Sequence, residues 1–209
     1  MASTKRATEK RTAQLVALAV AAVLVSPFLL VINAAVMTPE QFAKDSVFAL
    51  PTPPVLDNLL ALIGQDAPML DPIGRTVFVS IVLMLTQIPV SVVAAYVFAT
   101  IPFRFGQGIF WAIITLWAVP PIVTVIPLYV MMVNWGIAGG VWAIVFPVLF
   151  LSPYALFLLR QHFSTIPREL FDAARVDGAG HLRMIWSLVV PLSSPVLWFV
   201  AVVTFVTQW

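Results

Sequence analysis

Five uninterrupted apolar runs, at residues 15–37, 77–99, 109–134, 138–159 and 187–209, constrain this chain more than any other feature of its sequence. About 20 such residues in a helix cross a hydrocarbon core roughly 30 Å thick. Inside that core every backbone polar group must find a partner within the protein, which a helix provides. Strands of a membrane barrel would instead alternate in polarity over about 10 residues, and these runs do not alternate. The expected fold class is therefore all-α, a polytopic transmembrane helix bundle with five spans, forming a single domain over residues 1–209. Composition agrees. Only 10% of residues are charged and 61% are hydrophobic, whereas a soluble domain carries about 25% charged residues. So few charges cannot clothe a water-facing surface, so membrane lipid is the expected surroundings. The net charge of +2 is too slight to suggest nucleic acid. With no cysteine, there is no disulfide framework, thiol nucleophile or cysteine-bound metal.

The basic residues orient the bundle. Nine of the eleven Lys and Arg fall in three segments: Lys5, Arg6, Lys10 and Arg11; Arg104; and Arg160, Arg168, Arg175 and Arg183. These alternate with the 38–76 loop, rich in Glu40, Asp45, Asp57, Asp66 and Asp71, and with a short turn near Gly136–Gly140. A cytoplasmic N-terminus follows. The 38–76 loop then lies outside, and its Pro51, Pro53, Pro54 and Pro72 read as extended cover rather than a folded domain. The first run, 15–37, is longer than the roughly 7–15 residues of a signal-peptide core, and is read as a retained span. The chain stops in apolar sequence with no basic anchor after Trp209, and is expected to be cut short.

No span holds an ionisable residue near its middle. Proton relays, ion paths and voltage sensors need one, which counts against a secondary transporter or channel subunit, the main rival reading. A membrane-embedded enzyme would need convergent catalytic groups, and none appear. The polar groups in the spans are neutral. Gln87, Ser152 and Tyr154 are candidates to line a path for a hydroxyl-rich solute, and the same groups suit ordinary bonding between helices. Prolines inside the spans, among them Pro89, Pro120, Pro121, Pro191 and Pro195, favour kinks. There is no phosphate-binding loop of the G-x-x-x-x-G-K-[ST] kind. Uphill transport would have to draw its energy from another subunit, and the chain is not expected to be an enzyme.

The charged stretch at 160–187 reads as a short helix, a break and a second helix entering the last span. Pro167 suits the first helical position, with Glu169 near the positive end of the dipole. Arg168 and Asp172 are four apart, and Asp172 and Arg175 three apart, so both pairs can meet on one face. Leu170, Ala173, Ala174 and Asp177 fall at i, i+3, i+4 and i+7, a narrow face with two very small side chains. Gly178 permits the left-handed turn that ends a helix. Such a helix could dock in a groove on a partner protein or lie on lipid headgroups.

Ile166-Pro-Arg-Glu-Leu-Phe-Asp-Ala-Ala-Arg-Val-Asp-Gly-Ala-Gly180, followed by Pro191-Leu-Ser-Ser-Pro195, resembles the coupling loop of ABC-importer permeases. Its pattern there is I-P-x-E-L-x-E-A-A-x-x-D-G-A; this chain departs from it with Asp172 in place of Glu and, further on, Gly180 where Ser or Thr is common. The lead-in Leu158-Leu-Arg-Gln-His-Phe163 and the run Val119-Pro-Pro-Ile-Val-Thr-Val-Ile-Pro-Leu-Tyr129 are similar to carbohydrate-type permeases of the maltose-system G class. The resemblance spans residues 77–209, and it implies the inner (plasma) membrane of a bacterium and a sixth, C-terminal span that is missing after Trp209. It implies a permease that pairs with a second permease subunit, as a heterodimer, above two ATP-binding subunits, with an extracytoplasmic binding protein delivering the solute. ATP and magnesium would be held by the ATPase partners, so no cofactor of the chain's own is implied. The residues implied to contact the ATPase are Glu169, Asp172, Ala173, Ala174, Asp177, Gly178 and Ala179. The solute class implied is a sugar or related polar compound.

Overall fold

Apolar sequence becomes continuous helix except where proline or glycine interrupts it. The computed structural model describes residues 2–46, 48–64 and 69–209, and among them all regular structure is helical. Asp66, counted above in the acidic loop, lies outside the described residues. Two compact units divide the chain, Met1–Pro72 and Ile73–Trp209.

In the first unit, α1 (Ala2–Ala35) contains the apolar span Lys10–Ala35 and remains one helix despite Pro27. The loop that follows is more ordered than its prolines suggested. Thr38 opens α2 (Pro39–Lys44) with a capping box, its side chain accepting from the Gln41 N–H while the Gln41 side chain reaches back to the Thr38 N–H. A further helix, α3 (Asp57–Ile63), presents Asn58, whose Nδ2 donates to the carbonyls of Ala35 at 3.0 Å and Met37 at 2.7 Å. Those carbonyls at the end of α1 have no helical partner of their own. The extended cover expected over 38–76 is thus corrected to a segment with two short helices, the second of them tied to the end of α1.

In the second unit the longest element is α4 (Leu70–Thr100), which also runs unbroken through its Pro89. Two of the expected spans are bent, each beside prolines expected to favour kinks. Residues 109–134 divide into α5 (Gly106–Trp117) and α6 (Pro121–Asn134), meeting at 90°. Pro121 disfavours the helical conformation at the residue before it, and Pro120 accordingly sits at ψ 130°. Two glycines at positive φ, Gly136 and Gly139, make the turn expected after α6. The fourth span is α7 (Val141–Val145), a 3-10 turn at Phe146–Val148 and α8 (Pro153–Phe163). After α9 (Arg168–Val176) come α10 (His181–Met184), a π-helical turn at Ile185–Val189, α11 (Val190–Leu192) and α12 (Ser194–Val206). The last bend, 83°, falls at Ser193, just before Pro195, which has no N–H to continue the ladder.

Among the described residues, three helical segments are by themselves long and apolar enough to cross a membrane, and there are five when each bent pair counts as one span. The polytopic helical bundle expected from the sequence is the architecture found. Its main core gathers Tyr96 of α4, Phe110 of α5, Leu156 and Phe163 of α8, Phe171 of α9 and Val200 of α12.

Candidate functional site

The charged segment between α8 and α10 is built as helix, break, helix. Pro167 is the N-cap of α9 rather than its first helical residue, because its ψ of 135° keeps it extended; Arg168 takes the first position. Glu169 remains in the first turn. At the other end Gly178 adopts φ +76°, as its place in the sequence required. Its N–H donates to the Arg175 carbonyl at 3.0 Å, and the Ala179 N–H donates to Ala174 at 2.9 Å. These two bonds form a Schellman motif, which closes the helix by satisfying its last carbonyls. A Cβ on Gly178 would meet no atom within 4 Å, so handedness alone calls for glycine there.

Which way α9 faces differs from the sequence reading. Its one buried residue is Phe171, with the rings of Phe171 and Tyr96 6.3 Å apart. Ala174 and Ala179 are half-buried against the same core, whereas Glu169, Asp172, Ala173, Asp177 and Gly178 are exposed. The expected face therefore splits, with Ala174 turned inward and Leu170, Ala173 and Asp177 outward. Had the stripe been started at Phe171, its i+3 partner Ala174 would have marked the inner side. Of the two ion pairs expected, Asp172 and Arg175 meet at 3.0 Å, and Arg168 does not pair with Asp172.

Behind α9, Tyr96 is 1% exposed and its hydroxyl lies 2.9 Å from Nδ1 of His181. Arg160 ties neighbouring elements together. Its Nη2 donates to Gln107 Oε1 at 2.9 Å, and its guanidinium stands 3.9 Å over the Phe110 ring.

The three path candidates, Gln87, Ser152 and Tyr154, converge on one cavity of about 570 Å³. Trp117, Thr204, Thr207 and Gln208 complete its polar and aromatic lining, and no charged side chain contributes. Gln87 donates from Nε2 to the carbonyl of Val148. Ser152 accepts from the Ala155 N–H at 3.2 Å, capping α8, and its own O–H is left to donate. The rings of Tyr154 and Trp117 lie 5.9 Å apart. Thr204 was not among the path candidates expected from the sequence. Thr204, Thr207 and Gln208 follow an i, i+3, i+4 pattern that marks a polar stripe at the end of α12. Among the described residues no group of His, Asp or Glu is clustered to hold a metal.

Residues 87–209 match the model of a family described as the binding-protein-dependent transport system inner membrane component. This chain belongs to that family. It is 34% identical over 142 residues to the sn-glycerol-3-phosphate transport system permease protein UgpE of Yersinia enterocolitica, covering 66% of this chain and 50% of that one. To the osmoprotective compounds uptake permease protein GgtD of Synechocystis it is 36% identical, over 59% of this chain and 43% of the relative. The arabinooligosaccharides transport system permease protein AraQ of Halalkalibacterium halodurans is 24% identical across 91% of this chain and 68% of its own length. The chain thus spans about half the length of the glycerol-3-phosphate relative. A crystal structure of a bacterial ABC transporter that imports the acidic polysaccharide alginate superposes with a TM-score of 0.73 at 19% identity, covering 99% of this chain and 72% of that one. That likeness establishes a shared fold. Family and apolar helices together make the chain a multi-pass inner membrane component.

Proposed function

We propose that this chain is a permease subunit of an ATP-driven importer, forming half of a translocation path for a sugar or related polar solute. The observation that carries the reading is the posture of α9, which buries Phe171 in its own bundle and presents Glu169, Leu170, Asp172, Ala173 and Asp177 outward. A short charged helix that exposes Val176 at 88% and Leu170 at 41% offers apolar contact points on a polar surface, as an ATPase groove requires. Segment 160–187 is then the coupling segment of a single permease domain, with 77–209 as its family core. Ala174, Gly178 and Ala179 act by holding α9 in place rather than by direct contact. The N-terminus is cytoplasmic. The partners are a second permease subunit, two ATP-binding subunits that hold ATP and magnesium, and an extracytoplasmic solute-binding protein.

The cavity at Gln87, Ser152 and Tyr154 supports a place on the solute path. Its hydroxyl and amide groups match a polyhydroxylated solute, and the Trp117–Tyr154 pair offers aromatic faces to a sugar ring. Without a cation in its lining it favours an uncharged solute over a phosphate ester such as the glycerol 3-phosphate in one relative's name. Cysteines placed singly at Ala173 and Asp177 test the reading by cross-linking in native membranes. Bonds to an ATP-binding protein are expected; cross-links to lipid headgroups alone would overturn it.

A further inference from the structure

We propose that Tyr96 is a positioning residue whose bond to His181 couples α9 to the wall of the cavity, an inference that rests on the importer reading above. Tyr96 is 1% exposed, and its hydroxyl has His181 Nδ1 at 2.9 Å and Met184 Sδ at 3.9 Å. Its ring lies 6.3 Å from that of Phe171 and 5.9 Å from that of His181. One side chain of α4 thus receives contacts from inside α9 and from the first residue of α10, on both sides of the Gly178 turn.

A buried apolar contact alone resists separation but tolerates sliding. A hydrogen bond is directional and weakens steeply when misaligned, so the Tyr96–His181 pair fixes the register of the 168–181 segment along α4. The same helix carries Gln87, nine residues before Tyr96 in the sequence, which is about 13 Å at about 1.5 Å per residue. Gln87 in turn holds the Val148 carbonyl at the cavity. A push on the outer face of α9 therefore reaches the cavity through Phe171 and His181, then Tyr96, then one continuous helix, then Gln87. A hydrogen bond serving stability alone would need no such alignment of partners, and the two roles separate by experiment.

The chain has no cysteine of its own, so single introduced cysteines report cleanly. Ala173→Cys, on the exposed side of α9, reports contact with the motor. Thr207→Cys, exposed in the cavity lining, reports the cavity. Membranes holding the chain with its partner subunits are treated with a water-soluble maleimide, with and without magnesium-ATP. Shielding at Ala173→Cys and an ATP-dependent change in rate at Thr207→Cys are expected in the otherwise unaltered chain. Tyr96→Phe and His181→Leu should each cut the Thr207→Cys response about five-fold, the factor one net hydrogen bond carries, while Ala173→Cys stays shielded. His181→Asn keeps an amide near the Nδ1 position, able to bond the Tyr96 hydroxyl as donor or acceptor, and should retain the response. A full response in Tyr96→Phe and His181→Leu, or a loss in His181→Asn equal to theirs, overturns the proposal. If Tyr96→Phe does not accumulate, the two His181 variants decide. If Ala173→Cys is unshielded from the start, the importer reading fails and this proposal with it.

Discussion

Phe171→Ala should release α9 from the bundle while leaving the spans intact. The helix is nine residues long, with four charged side chains, and Phe171 is its one buried residue. So short a helix is not stable alone in water, and its order depends on that docking. Deleting a buried Phe side chain costs about 3–5 kcal/mol. The lower figure applies here because Phe171 lies at the margin of the core, where neighbours can partly close the gap. About 3 kcal/mol corresponds to roughly a hundred-fold rise in the undocked population. Hydrogen exchange read by mass spectrometry, in lipid nanodiscs, reports that population through two amides of the closing motif. The Gly178 and Ala179 N–H groups are held by Arg175 and Ala174, and their exchange should quicken by about two orders of magnitude. Amides in the middle of α4 should change by less than about two-fold, since their bonds lie within a helix that does not need α9. Phe171→Leu keeps most of the apolar bulk and should give a small fraction of the effect. Unchanged exchange at Gly178 and Ala179 in Phe171→Ala would show that something other than this side chain holds α9, and the mechanical reading would lose its anchor.

At Gly178 the open space around the position leaves only the cost of a left-handed residue, so Gly178→Ala should lower stability by about 1–2 kcal/mol and Gly178→Asn by less, read as shifts in thermal midpoint. Gly178→Pro cannot take a positive φ and also loses the N–H bonded to Arg175, so ATP hydrolysis should continue without uptake; unchanged uptake per ATP would count against α9 as the coupling element. Arg160→Lys keeps a charge but not the planar group lying over Phe110 with a donor on Gln107, and should lower the thermal midpoint; an unchanged midpoint would count against Arg160 as a tie between these elements. In the first unit, Asn58→Ala strips the Ala35 and Met37 carbonyls of their donor, costing about 1–3 kcal/mol locally, and should speed proteolysis within residues 38–64.

The spans were readable because lipid imposes a length and polarity on a helix that few other contexts impose. The end of α9 was readable for a similar reason, since only glycine suits φ +76° without strain. The bends were readable in kind but not in place. Pro27 and Pro89 leave α1 and α4 unbroken, while Pro121 turns the chain through 90°. A lone proline removes one bond that neighbours can absorb, whereas Pro120–Pro121 removes two in succession and also forces an extended ψ. The inner face of α9 was hidden because its periodicity is nearly as good from Leu170 as from Phe171. Nine residues contain too few turns to choose between the two, and the choice is made by Tyr96, a residue far away in sequence. The ties within the 38–64 segment were overlooked for another reason. Prolines dominate its appearance, yet the ordering comes from a capping box at Thr38 and one asparagine reaching back across the loop.

Gln87 joins the two halves of the argument. From sequence it was either glue between helices or a group facing a solute. In the structure it lines the cavity and also donates to Val148, whose carbonyl falls in the irregular stretch between α7 and α8. A backbone break at such a place within an apolar span is tolerated only where something supplies the missing partner. The amide of Gln87 does so with one end, and its Oε1 remains to accept from a ligand. The break itself frees Ser152 to cap α8 and brings Tyr154 toward Trp117. The cavity therefore exists because the fourth span is interrupted, and α4 stabilises that interruption with the same helix on which α9 rests. A shift of α4 would then alter the shape of the cavity and the support of its wall together, which is how, under the proposed reading, α9 would act on the polar groups of the cavity.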